Sequence, residues 1–194
     1  MNHFYEKIQK RTFFNFHNVY DKLIKESSSD AHFVEVGVWR GQSICYAAVE
    51  IINANKNIKI DAVDTWLGSP EQNLFLEDGE SEEDDIYDIF LKNIEPVKNI
   101  ITPIRMTSVE ASKLYEDRSL DFVFIDASHL YENVKDDIEH WLPKIKVGGY
   151  IGGHDYSPHE SEEKNGVKKA VDEIFGKNIE LFNQGWCSWL HKVL

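Results

Sequence analysis

Five short apolar runs, each handing over to a stretch with helical spacing, leave this chain few folds to choose from. His32–Val38, Ile58–Val63, Ile100–Ile104, Leu120–Ile125 and Tyr150–Gly152 read as strands, the last introduced by a Gly148-Gly149 turn. Between them lie helical stretches at Gln42–Asn53 and near 108–116, 131–142 and 165–176; in the first, Ile44, Ala47, Ala48 and Ile51 share one face. The segment Ile179–Phe182, a turn at Gln184-Gly185, and Trp186–Val193 read as a hairpin. Consecutive strands joined by helices run parallel, because the crossover returns the chain to the same end of the sheet. The expectation is a doubly wound α/β fold with seven strands, mostly parallel, closed by a C-terminal antiparallel β-hairpin.

Two segments stand outside the alternation. Residues 4–26 place Tyr5, Ile8, Phe16, Val19, Tyr20, Leu23 and Ile24 at mixed three- and four-residue spacing, which predicts an N-terminal helical region over 1–30 ahead of a domain at 31–194. The second is an insert at about 69–95. Seven of its acids fall between Leu76 and Asp85 with no base among them, more than half of the chain's net charge of −13. That run reads either as a solvated loop or as a lid over the sheet's carboxyl end. Beyond it, Ile86, Ile89, Phe90 and Ile94 share a helical face and should pack. An excess of 34 acids over 21 bases argues against nucleic acid or an anionic membrane as partner, since both select a basic face. Two cysteines, Cys45 and Cys187, make no disulfide framework, and no long apolar run or leader is seen, so a cytoplasmic location is expected. The N-terminal helix and the tail aromatics are compatible with a homodimer, and Trp186 and Trp189 either wall the acceptor site or form that contact.

In open α/β sheets ligands sit beyond the carboxyl ends of the strands. After the first strand comes Glu35-Val36-Gly37-Val38-Trp39-Arg40-Gly41. A nicotinamide fingerprint needs glycines at 37, 39 and 42, and positions 39 and 42 are Trp and Gln, which weakens a dehydrogenase reading. The second strand ends at Asp64, followed by Thr65 and Trp66; a carboxylate there can accept both ribose hydroxyls or can cap a helix. Ser108, after the third strand, either touches an adenine edge or caps the next helix. The fourth strand delivers Asp126-Ala127-Ser128-His129, and the fifth delivers His154 and Asp155. Asp126, His154 and Asp155 then lie on adjacent strand ends, an oxygen and nitrogen donor set able to hold Mg²⁺ or a transition metal. His129, three residues past Asp126, is the candidate general base.

These residues resemble the Rossmann-like class I S-adenosylmethionine-dependent methyltransferases, in particular small O-methyltransferases with an aspartate-x-serine-histidine signature at the fourth strand, such as macrolide-sugar O-methyltransferases. The likeness rests on Glu35/Gly37/Gly41, Val63-Asp64-Thr65-Trp66, Leu120 to His129, and Pro143 through Gly153-His154-Asp155-Tyr156, and covers roughly 31–176. It implies that Glu35, Gly37 and Gly41 frame the methionine moiety of S-adenosylmethionine and that Asp64 holds its ribose. Val38, Trp39, Thr65, Trp66, Ser108 and Asp126 complete the cofactor-binding set. It implies further that Asp126 and Asp155 ligate a divalent metal while His129 deprotonates a small-molecule acceptor. His154 stands where that family often has an acid or amide, and Trp39 replaces a glycine. A protein of a different class, keeping the fold as a non-catalytic nucleoside-binding or interaction module, would not need Asp126, His129 and Asp155 together.

Overall fold

The structure, a computed structural model, describes residues 1–8, 13–68, 85–161, 165–182 and 187–194. The acidic run up to residue 84, the Gln184-Gly185 turn and Trp186 lie outside the described residues. Among the described residues the strands are β1 (His32–Val36), β2 (Lys59–Asp64), β3 (Ile101–Arg105), β4 (Leu120–Ile125), β5 (Ile145–Tyr156), β6 (Glu180–Phe182) and β7 (Cys187–Lys192). The helices are α1 (His17–Glu26), α2 (Gln42–Asn53), α3 (Ile86–Ile94), α4 (Ser108–Ser112), α5 (Tyr131–Trp141) and α6 (Gly166–Phe175).

The strands form one sheet in the order β3-β2-β1-β4-β5-β7-β6. β1 to β5 pair in parallel, and β7 pairs antiparallel with both β5 and β6. The expected doubly wound α/β architecture with antiparallel closing strands is therefore present. Strand periodicity builds its two layers. Phe122 and Phe124 point to one face, where they meet Phe16, Tyr20, Ile44, Ala48 and Phe90 from α1 to α3. Val123 and Ile125 point to the other, against Val134, Ile138, Trp141, Val167 and Val171 from α5 and α6. The chain changes faces between β1 and β4, so the crevice at their carboxyl ends is the switch point of the sheet.

Several boundaries differ from the sequence reading. The N-terminal helix begins at His17, preceded among the described residues by a 3-10 turn at Tyr5–Lys7. β1 stops at Val36, because Gly37 takes a positive φ of 85°. α4 ends at Ser112 rather than near 116; the Tyr115 ring instead packs on Trp141, and its hydroxyl donates to Asp61 at 2.7 Å. β5 runs through the predicted Gly148-Gly149 turn. Gly148 N–H donates to Val193 O at 2.8 Å, and Val193 N–H donates to Gly149 O at 2.9 Å, so the glycines stay in the ladder. A Cβ on Gly149 would lie 2.7 Å from Asp121 O, which accounts for glycine there.

Candidate active site

The loop after β1 is shaped by one close approach and one carboxylate. A Cβ on Gly37 would stand 2.2 Å from the Asp126 carbonyl oxygen, so the β1 and β4 ends come together only with glycine at 37. Gly37 N–H donates to Val63 O and Asp126 N–H donates to Val36 O, both at 2.8 Å, locking three strand ends in register. Asp64 Oδ2 then accepts the backbone N–H groups of Val38 (3.0 Å) and Trp39 (2.9 Å), while Oδ1 accepts that of Trp66 (2.8 Å). Trp39 sits at φ 46°, in the left-handed region that favours glycine, and the grip of Asp64 on its N–H holds it there. Trp66 Nε1 donates to Trp39 O at 2.8 Å, tying the two loops across the crevice. Gly41, at φ 84°, ends the loop against the Phe90 ring of α3, 3.0 Å from where a Cβ would be. Thr65 accepts from Leu67 N–H through its hydroxyl and from Arg105 Nε through its carbonyl.

Asp64 is thus first a brace of the loop. An ionised carboxylate oxygen can accept two hydrogen bonds; among the described residues Oδ1 accepts one, which leaves room for a ribose hydroxyl. Glu35 is fully buried beneath the loop. Its carboxyl accepts from Tyr20 Oη of α1 at 2.5 Å and from Ser43 Oγ of α2. Burial pushes Glu35 up to about 8, against the two hydrogen bonds, which pull it down. In this structure Glu35 supports the loop from below and presents no oxygen to solvent. Ser108 does not cap α4. Thr107 caps α4, accepting from Glu110 N–H at 3.4 Å, while Ser108 Oγ accepts from Trp141 Nε1 at 2.9 Å and bonds Asp137 on α5.

The second half of the site brings together Asp126, His129, His154 and Asp155. His129, on the loop between β4 and α5, places Nε2 2.9 Å from Asp155 Oδ2 with its side chain 55% exposed. His154, only 8% exposed, places Nδ1 3.2 Å from the same oxygen and 3.9 Å from Asp126 Oδ1. Asp155 adopts φ 60°, and its backbone carbonyl accepts from Asn165 Nδ2 at 3.0 Å, which fixes the kink at the end of β5. Burial alone would raise Asp155, but hydrogen bonds from His129 and His154 hold it well below the usual carboxylate range. Asp126 goes the other way: burial, reinforced by the neighbouring Asp155 charge, pushes it up to about 6 despite the two imidazoles. His154 is raised, because Asp155 and Asp126 outweigh its burial.

One donor atom each from Asp126, His154 and Asp155 lies within 4.8 Å of the others. The set fits a divalent ion that accepts mixed oxygen and nitrogen ligands, such as Mn²⁺ or Zn²⁺, better than Mg²⁺, which demands oxygens. Beside it lies a small hollow lined by Asp126, Ser128, His129 and His154 and backed by Val134, Val167 and Trp189. The Trp189 indole N–H is buried with no hydrogen-bond partner among the described residues.

Sequence reasoning missed three contributors: Tyr20 and Ser43 on Glu35, and Asn15, whose Oδ1 lies 3.0 Å from His154 Nε2. None carries a local signal, since each acts across a helix–sheet contact. Among the described residues no helix is long and apolar enough to cross a membrane.

A family profile described as a methyltransferase domain matches residues 34–156, which spans both halves of the site. An uncharacterized protein of Sinorhizobium fredii, y4gI, is 28% identical over 127 residues; the match takes in 66% of this chain but 13% of that protein's length. Among solved structures, an rRNA methylase from Streptococcus thermophilus superposes with a TM-score of 0.62 at 12% identity, over 95% of this chain and all of that one. The O-methyltransferase NovP superposes with a TM-score of 0.59 at 19% identity, over 91% of this chain and 78% of that one. At such identities these two likenesses speak for the fold alone.

Proposed function

Since the chain belongs to the methyltransferase-domain family and is a class I S-adenosylmethionine-dependent methyltransferase, we propose that it methylates a hydroxyl oxygen of a small molecule, with His129 as general base. The observation that carries this reading is the His129–Asp155 pair, 2.9 Å apart beside Asp126 and His154 at the strand ends. S-adenosylmethionine supplies an electrophilic methyl group on a sulfonium, so the enzyme's task is alignment and timely removal of the acceptor proton. Gly37 and Gly41 let the loop backbone approach the cofactor, and Asp64 keeps that loop in one shape while offering Oδ1 to the ribose. Glu35 stiffens the loop's floor.

With Nε2–H given to Asp155, the neutral His129 ring is basic at Nδ1, and Asp155 stabilises the imidazolium once the proton is taken. Asp126, His154 and Asp155 would hold a divalent ion, which would supply Lewis-acid assistance to the acceptor. Val134, Val167 and Trp189 give the acceptor an apolar back wall. The acidity of the chain, net −13, favours such an acceptor over RNA. The cytoplasmic location and the homodimer belong to the same reading, but Trp189, buried against Phe175, lies inside the protomer and not on a dimer face.

The test is methyl transfer from labelled S-adenosylmethionine to a panel of hydroxylated sugars and phenols, with rRNA fragments in parallel and with Mn²⁺, Mg²⁺ or chelator added. Label entering a small-molecule oxygen, with His129→Ala slowed about 10²–10⁴-fold, supports the reading. Label entering only RNA, or unchanged turnover in His129→Ala, refutes it.

A further inference from the structure

His154 differs chemically from Asp126 and Asp155, the two carboxylates beside which it stands. A carboxylate binds a metal through either oxygen and in many orientations. An imidazole has two distinct nitrogens, and a metal takes only the one without a proton. A histidine placed here therefore needs something to choose its nitrogen and fix its ring.

The structure contains such a group, and it comes from outside the strand-end cluster. Asn15 lies in the segment leading into α1, 139 residues away in sequence, and its Oδ1 stands 3.0 Å from His154 Nε2. Phe16 beside it is buried against Phe124 of β4, ring centroids 4.6 Å apart, and its ring also lies 5.1 Å from that of His154. The amide is thus delivered by an anchored backbone. On the other side of the ring, Nδ1 faces Asp155 Oδ2 at 3.2 Å and Asp126 Oδ1 at 3.9 Å.

From this arrangement we propose that Asn15 is the positioning residue of His154: by accepting the Nε2 proton it makes Nδ1 the donor atom turned toward Asp126 and Asp155, where a divalent cation binds. Outer-shell partners of this kind, which fix the tautomer of a ligating histidine, typically change metal affinity 10–100-fold when removed. The inference rests on the metal reading made above, and it assigns to the N-terminal segment a share in the site that the strand-end residues alone do not show.

The experiment follows the full chain, its Asn15→Leu variant, which keeps similar volume without an acceptor, and Asn15→Asp, which keeps the acceptor. Two readouts are taken. Mn²⁺ binding is followed by electron paramagnetic resonance, with ¹⁴N coupling reporting a directly bound imidazole. The His154 Nε2–H resonance is followed by ¹⁵N-edited NMR in the metal-free protein, where a hydrogen-bonded imidazole proton exchanges slowly. The expected result is at least a tenfold loss of Mn²⁺ affinity and loss of the slow Nε2–H signal in Asn15→Leu, with both recovered in Asn15→Asp. Wild-type Mn²⁺ affinity and an unchanged Nε2–H signal in Asn15→Leu would overturn the proposal and leave the metal reading standing. Failure of the unsubstituted chain to bind Mn²⁺ would overturn the metal-donor role along with the metal reading, whatever the NMR shows.

Discussion

Glu35→Gln should make the protein more stable at neutral pH and remove part of its pH dependence. Glu35 is fully buried between α1 and α2 and is pushed from an ordinary 4.5 up to about 8. At pH 7 the folded chain therefore keeps the proton, whereas the unfolded chain has lost it. A folded-state pKa raised in this way means that the unfolded state binds fewer protons between the two values. Stability then falls as pH rises through that window, by up to about 1.4 kcal/mol per unit. Below 4.5 both states are protonated, and above about 8 both are ionised, so the effect stops growing. Glutamine imitates the neutral carboxyl and cannot ionise in either state. One of the Tyr20 and Ser43 hydroxyls must turn to accept from glutamine, as it already must for protonated Glu35, and the extra amide N–H lacks a partner there, at a cost of about 1 kcal/mol that does not vary with pH. Urea titrations of both proteins at pH 5.5, 6.5 and 7.5 isolate the difference. We expect the stability of Glu35→Gln relative to the parent to rise by about 2–3 kcal/mol across those two units. Other raised acids, such as Asp126 and Asp137, contribute equally to both proteins and cancel. A difference that stays constant from pH 5.5 to 7.5 would refute the reasoning, because it would mean that Glu35 is ionised in the folded protein throughout.

Three further outcomes follow from the loop and its neighbours. Gly37→Ala must relieve a 2.2 Å approach to Asp126 O at φ 85°, so it should cost several kcal/mol, on the order of the largest single-residue losses, and abolish S-adenosylhomocysteine binding by calorimetry; a folded variant that binds normally would contradict the close approach. Asp64→Asn replaces an acceptor of three N–H groups with an amide that cannot accept on both sides, so a stability loss of about 1–3 kcal/mol should accompany at least tenfold weaker cofactor binding, read by denaturation and titration on the same samples. Trp141→Phe deletes the indole bond to Ser108 at 2.9 Å inside a buried contact and should cost about 1–3 kcal/mol with cofactor affinity unchanged, since Ser108 faces α5; a drop in affinity would return Ser108 to the adenine pocket.

What the sequence made legible was local in origin. α2 and β4 begin and end where periodicity places them, and each strand end carries its chemistry as a direct consequence of the alternation. The errors have physical causes. Thr107 and Ser108 are neighbours with the same capping chemistry, and only the packing of Trp141 decides between them. Gly148-Gly149 looks like a turn until the backbone of Val193 arrives to pair with it. Asp64 was read for its charge, and its geometry adds the bracing of Val38, Trp39 and Trp66. Glu35 has the right spacing for the loop, but no local pattern tells which hydroxyls will cover it. Asn15 could not be placed at all, because 139 residues separate it from His154.

The order of the last two strands has a consequence for how the chain is assembled in time. β6 precedes β7 in sequence yet lies outside it, so β7 must enter between β5 and β6. Until residues 187–192 have been synthesised, β5 has no partner on that side, and β6 has no place to dock. The twelve-residue β5 would then offer an open row of N–H and C=O groups, a template for another nascent copy. Ribosome stalling or truncation before β7 should therefore give aggregated rather than merely weakened protein, and a chaperone's most useful moment with this chain is the interval between β5 and β7.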